Sequence, residues 1–122
     1  MAKWRDGEGT LLVGAQRMAL EVAASYRART RGLLGRAGID GAMLLTPAAS
    51  VHTFRMRFAI DVAYLDRNLR VLDVVTMPPN RLGRPRARSR HVLEAEAGAM
   101  AAWGLHPGVT VNVDVPGRLT PG

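Results

Sequence analysis

Phe58-Ala59-Ile60-Asp61-Val62-Ala63-Tyr64-Leu65 is apolar almost throughout and is bounded by Arg57 and Asp66. A continuous apolar run of this length predicts a strand buried on both faces. Asp66-Arg67-Asn68 then marks a turn, and Arg70 to Thr76 runs back as a second strand, so the two make a hairpin. Asp61 is the anomaly in the run. A carboxylate buried there without a partner would cost several kcal/mol or change its pKa. It has to be paired, hydrogen-bonded or placed at the mouth of a pocket.

Working outward, short apolar stretches separated by Gly, Pro and charge continue the strand-rich pattern. Leu11 to Gly14, Met18 to Val22, Ala42 to Thr46, His91 to Ala95 and Val109 to Val113 are the further strands expected, with Val51 to Phe54 a short extended or turn segment. Ser25 is the N-cap of the first helix, where its side-chain oxygen can accept an orphan N–H. Tyr26, Thr30, Leu33 and Leu34 fall on one face of that helix. Gly32 and Gly35 each weaken it by about 1 kcal/mol relative to Ala, and close packing is the expected reason for them. A second short helix runs from Ala97 to Trp103 and stops at Gly104, a suitable C′ residue. Met77 to Arg90 holds Pro78, Pro79, Pro85 and Gly83 without apolar period and reads as a long surface loop. The fold class expected is α+β: a strand-rich compact domain, either a half-open barrel or a curved, mostly antiparallel sheet of about 6–8 short strands, with two short helices.

The 122 residues suit one domain. Residues 1–9 are expected to be disordered, 10–115 to form the domain, and 116–122 to be a loose tail. Without cysteine there are no disulfides and no thiolate metal sites. No apolar run reaches the length of a signal peptide core or a spanning helix, so the expectation is a soluble cytoplasmic protein that does not insert into membranes. The formal charge is +7, and Lys3 is the single lysine among 17 Lys and Arg residues. That excess is either an electrostatic footprint for polyanions or the Arg- and Ala-rich composition a GC-rich genome produces.

The partner expected for Asp61 is an arginine of the first helix. Arg29, Gly32 and Arg36 share a face there, at i, i+3 and i+7, and Gly32 would let another backbone or a ligand come close. The pair is either an internal bridge fixing helix against sheet or part of a site. Glu94 follows Val92-Leu93 and is either part of the same polar cluster or exposed, while Glu96 suits the start of the second helix. His52, His91 and His106 show no H-x-x-x-H or H-x-H spacing, so no metal is expected, and His52 beside Asp61 is a candidate acid–base group. No G-x-S-x-G, P-loop or G-x-G-x-x-G occurs, which disfavours nucleotide-driven chemistry, and no cofactor is expected.

The run Arg29-Thr30-Arg31-Gly32-Leu33-Leu34-Gly35-Arg36 resembles an R-x-x-G-L-M-x-R helix motif, and Gly41-Ala42-Met43-Leu44-Leu45 a G-M-L-F strand. Residues 58–66 resemble I-P-L-D-I-x-F-I-D, Val92 to Gly98 resembles V-L-E-L-N-A-G, and Gly104 to Gly108 resembles G-I-K-x-G. Together, in this order over roughly residues 11 to 114, they resemble the bacterial and archaeal family called domain of unknown function 192. Departures are Val51 to Met56 in place of F-W-M-K-N-T, Ala59 for a Pro, Leu69 for a turn Gly and Val109 for an Asp. The resemblance implies a compact, strand-rich α+β domain and no established reaction.

Three functions follow. The first is a non-enzymatic binding module with a polar groove between the first helix and the Asp61 strand, built on Arg29, Gly32, Arg36, His52, Asp61 and Glu94, for a small polar ligand or a segment of a partner protein. The second is binding of nucleic acid or another polyanion through Arg81, Arg84, Arg86, Arg88 and Arg90, which crowd the long loop. The third is a hydrolase-like enzyme using His52, Asp61 and Glu94, which requires the three side chains to converge.

Overall fold

The computed structural model describes residues 3–116 and 118–119. Chain order is β1 (Gly7–Val13), β2 (Gln16–Ala23), α1 (Tyr26–Arg31), β3 (Ala42–Leu45), β4 (Ile60–Leu65), β5 (Val71–Met77), β6 (His91–Glu96), α2 (Ala99–Ala102), β7 (Asn112–Val115) and β8 (Arg118–Leu119). Seven strands and the two-residue β8 form one open sheet in the order β5-β4-β6-β3-β2-β1-β7-β8. Every pairing is antiparallel except that of β2 with β3, the two strands that flank α1 in the chain. The expected α+β class and mostly antiparallel sheet are both present.

β4 lies between β5 and β6, and all six of its residues are buried, as the apolar run requires. Alternation along the strands splits the interior into two cores. Leu20, Val22, Ala42, Leu44, Ala63, Leu65, Leu93 and Ala95 contribute to one, with Met100 of α2 packed among them. Ala23, Met43, Leu45, Ile60, Val62, Tyr64 and Val92 contribute to the other, together with Leu33, Val51 and Met56. The sheet curls around the first core. Val71 N–H donates to the Val109 carbonyl (2.7 Å) and Val111 N–H to the Leu69 carbonyl (3.0 Å). The segment entering β7 therefore meets the start of β5, although those strands stand far apart in the sheet order.

The β4–β5 hairpin forms where expected. Asp66 Oδ1 accepts the N–H groups of Asn68 (2.8 Å) and Arg70 (3.1 Å), which shapes the turn. Leu69 has a positive φ of 64°, a conformation that costs a branched residue roughly 1–2 kcal/mol. Burial of its side chain at 4 % exposure offsets that strain, so a leucine is tolerated at this turn.

Several boundaries differ from expectation. Gly7 to Gly9 are not frayed, because they pair with Leu20 to Val22 in β1–β2. The strand expected from Val109 starts at Asn112, since Gly108 to Val111 bond to the start of β5. In the tail expected to be loose, Leu119 pairs with Asp114 and Arg118 with Val115. Residues 1, 2, 117 and 120–122 lie outside the described residues. α1 is one turn shorter than its apolar spacing suggested and buries none of its own residues, Tyr26 being 79 % exposed. Leu33, just past its end, is the side chain that reaches the core.

Candidate ligand site beneath the first helix

Ser25 caps α1 as its sequence predicts: its Oγ accepts the Ala28 N–H at 3.1 Å. The helix ends at Gly32, where φ is 48°. A Cβ at this position would approach only the Arg29 carbonyl, at 3.7 Å. Gly32 thus serves the backbone conformation of a helix end, not the close packing expected of it. Because α1 stops there, Arg29 and Arg36 do not share a helix face. Arg36 turns back to Glu21 in a two-pronged ion pair at 2.6 and 2.8 Å. That pair holds the Glu21 carboxyl below its ordinary range. Arg29 instead donates to the carbonyls of Ala24 (3.3 Å) and Pro47 (3.2 Å), tying α1 to the segment after β3.

Asp61 is 3 % exposed, and its partner is not an arginine. Oδ1 accepts the Thr76 hydroxyl at 2.6 Å, while Oδ2 accepts the N–H groups of Gly98 (2.9 Å) and Met100 (3.1 Å). The N-cap of α2 is Gly98, which has no side chain to satisfy the helix's free N–H groups. A carboxylate reaching in from β4 does so instead, and its negative charge suits a helix start. The expected Arg29/Arg36–Asp61 bridge is therefore replaced by a structural cap.

Glu94 occupies the opposite face of the sheet. In the β4–β6 ladder Asp61 stands opposite Ala95, and Val62 opposite Glu94. One residue of register moves a side chain to the other face. Glu94 is 5 % exposed, and no hydrogen bond reaches its carboxyl from the described residues. Burial pushes its pKa up to about 7. It lies in the wall of a concavity of about 90 Å³ formed with residues 29–34, Leu45, Ser50, Val51, His52 and Met56. The structure thus brings together four of the six residues proposed for a polar groove, namely Arg29, Gly32, His52 and Glu94. Arg36 and Asp61 are elsewhere.

His52 is exposed at this rim. Its Nδ1 accepts the Phe54 N–H at 3.3 Å, and its ring stacks on Phe54 with centroids 5.1 Å apart. A His52/Asp61/Glu94 constellation is not assembled, because the sheet separates the two carboxylates. Among the described residues no group of three or more His, Asp and Glu side chains is placed to hold a metal ion.

A model of the family DUF192, described as an uncharacterised ACR, matches residues 10–113. The chain belongs to this family. Its relatives include a UPF0127 protein of Pyrococcus horikoshii, 36% identical over 84 residues, which are 65% of this chain and 73% of the relative. A UPF0127 protein of Thermococcus gammatolerans is 29% identical over 102 residues, covering 79% and 67% of the two chains. Among solved structures, a protein of unknown function from Novosphingobium aromaticivorans aligns with a TM-score of 0.71 at 22% identity, over 85% of this chain and 82% of that one. A structure from Sinorhizobium meliloti aligns with a TM-score of 0.75 at 17% identity, over 92% and 98%. At these identities the structural likeness is one of fold.

The long loop of this DUF192 domain does not offer five equivalent cations. Arg86 is ion-paired to Asp73 at 2.7 Å, and its guanidinium lies 4.3 Å from the centre of the Tyr64 ring. It holds the loop against β4 and β5. Arg81, Arg84, Arg88 and Arg90 are exposed. Tyr64, whose buried hydroxyl has no hydrogen-bond partner among the described residues, carries no motif signal in the sequence. Nothing in the sequence marks Arg31, Ser50 and Met56 either, which line the concavity beside Glu94. The signal that could have found Glu94 was its place among Val92, Leu93 and Ala95, an apolar setting like that of Asp61. No helix of the described residues is long and apolar enough to cross a membrane.

Proposed function

We propose that this domain is a non-enzymatic binding module that takes a small polar ligand in the concavity between α1 and β6. One observation carries this reading: Glu94 is buried in the wall of an open cavity and receives no hydrogen bond from the described residues. A carboxyl this deeply buried is poorly solvated, and a bound donor or acceptor in the cavity would give it a partner. Arg29 and His52 at the same concavity add orienting polar groups, and Leu33, Leu45, Val51 and Met56 add apolar wall. A fragment screen followed through backbone amide shifts tests it. Hits should move Gly32, Val51, His52 and Glu94 together, and Ser50→Trp, placed at an exposed wall position, should abolish them. Hits scattered over the surface, or unaffected by Ser50→Trp, count against the reading.

A second reading rests on the loop after β5. Arg81, Arg84, Arg88 and Arg90 are exposed there while Arg86 is held by Asp73, which supports weak polyanion binding through four residues. Heparin retention should then fall steeply with salt and drop when these four are replaced by Gln. Retention that survives the replacement counts against it.

A further inference from the structure

The charges lining the cavity under α1 bear on which ligand it would take, and this inference rests on the binding reading above. Glu94 is the only acid among its lining residues, and Arg29, Arg31 and His52 are the bases. From β4 the titratable side chain interacting with Glu94 is Tyr64. β3 contributes Met43 and Leu45 to the same core and no charge. An ammonium ligand would stand among three bases and would need an ionised carboxylate in an apolar wall, where burial opposes ionisation. An oxyanion is attracted by the arginines instead, and needs a donor where Glu94 stands. A protonated carboxyl provides one O–H donor. Acceptance of the Phe54 N–H by His52 Nδ1 leaves Nε2 of the neutral ring as a second donor.

We propose that the cavity binds the carboxylate end of a small organic acid, with the Glu94 carboxyl donating a hydrogen bond to it. A volume of about 90 Å³ corresponds to roughly three waters at ~30 Å³ each. An end the size of acetate or propionate fills it, and anything longer leaves past the exposed Arg31 and Ser50.

The test compares propionate, propionamide and n-propylamine by amide shifts of Gly32, Val51 and Glu94 on the full chain, between about pH 6 and pH 8.5. Propionate should bind best at the lower pH and weaken roughly tenfold per pH unit above about 7, as the donor proton is lost. Glu94→Gln keeps an N–H donor and should bind propionate with that slope removed. His52→Asn, which removes the imidazole of the rim, should keep the slope. Propionamide, which lacks the negative charge, should bind more weakly than propionate at pH 6; equal or tighter binding overturns the inference. Acetyl-diglycine carries the same group on a peptide end; tighter binding than propionate points to a chain terminus, weaker binding to a free acid, and both sustain the carboxylate. Tighter binding of propylamine, strengthening as pH rises, overturns the inference but leaves the site as a binding pocket. A slope that persists in Glu94→Gln, or one that vanishes in His52→Asn, overturns it in the same way. Absence of any shift at these amides overturns both the inference and the binding reading.

Discussion

Asp61 and Glu94 sit on neighbouring strands one pairing position apart, and the sheet between them gives them opposite surroundings. Asp61 looks toward α2 and accepts three hydrogen bonds. Glu94 looks toward α1 and accepts none from the described residues. The first carboxylate is part of the architecture, and the second is available. Burial alone therefore does not separate the two acids; the distinction lies in whether the fold has already supplied their partners.

The largest expected effect breaks the satisfied side of this contrast. Asp61→Ala leaves the hydroxyl of Thr76 and the N–H groups of Gly98 and Met100 without their acceptor. Urea denaturation should show a loss of roughly 3–5 kcal/mol. A loss below about 1 kcal/mol would mean that α2 does not depend on this cap.

Glu94→Gln probes the other side through pH. The wild-type carboxyl titrates at about 7 when folded, against 4.5 as its ordinary value. Between these values the folded state holds more proton than the unfolded state, so stability falls as pH rises through the window. The resulting destabilisation is absent below pH 4.5 and fully present above about 7. Relative to wild type, the Gln variant should gain on the order of 3 kcal/mol from one end of the window to the other. Parallel stability–pH curves for the two proteins would show that burial does not raise the Glu94 carboxyl.

Tyr64→Phe sharpens the comparison at a third polar group on the Glu94 face. Its hydroxyl is buried with no partner among the described residues, so removing it should stabilise by about 1 kcal/mol, read as a rise in melting temperature. A marked loss would reveal a bond the hydroxyl makes through water. The smallest effect belongs to Arg36→Ala. The Arg36–Glu21 pair is 38% exposed on each side, so its loss should cost less than about 1 kcal/mol and leave fragment binding beside Glu94 unchanged. Weakened binding would return Arg36 to the site.

The hairpin was legible in the sequence because an all-apolar run beside a charged turn has few alternatives. Ser25 as a cap and Gly104 as a stop were legible because helix ends demand particular residue types. The partner of Asp61 was not. Its donors come from Thr76 and from residues beyond Glu96, and a glycine at the N-cap position hides the need for a distant acceptor. The face assigned to Arg36 failed for a local reason, since Gly32 at positive φ ends the helix before its next turn.

The chain by itself determined the strand-rich α+β class and its family, because burial pattern, turn residues and local motifs are written along a single segment. It also showed that a carboxylate must lie inside the apolar strand, because that placement follows from neighbours in sequence. Which acid is capped and which is left open was decided only in three dimensions. Side chains alternate between faces, so the register between β4 and β6 sets where each carboxylate points. That register is a relation between segments some thirty residues apart, and no single stretch of sequence contains it.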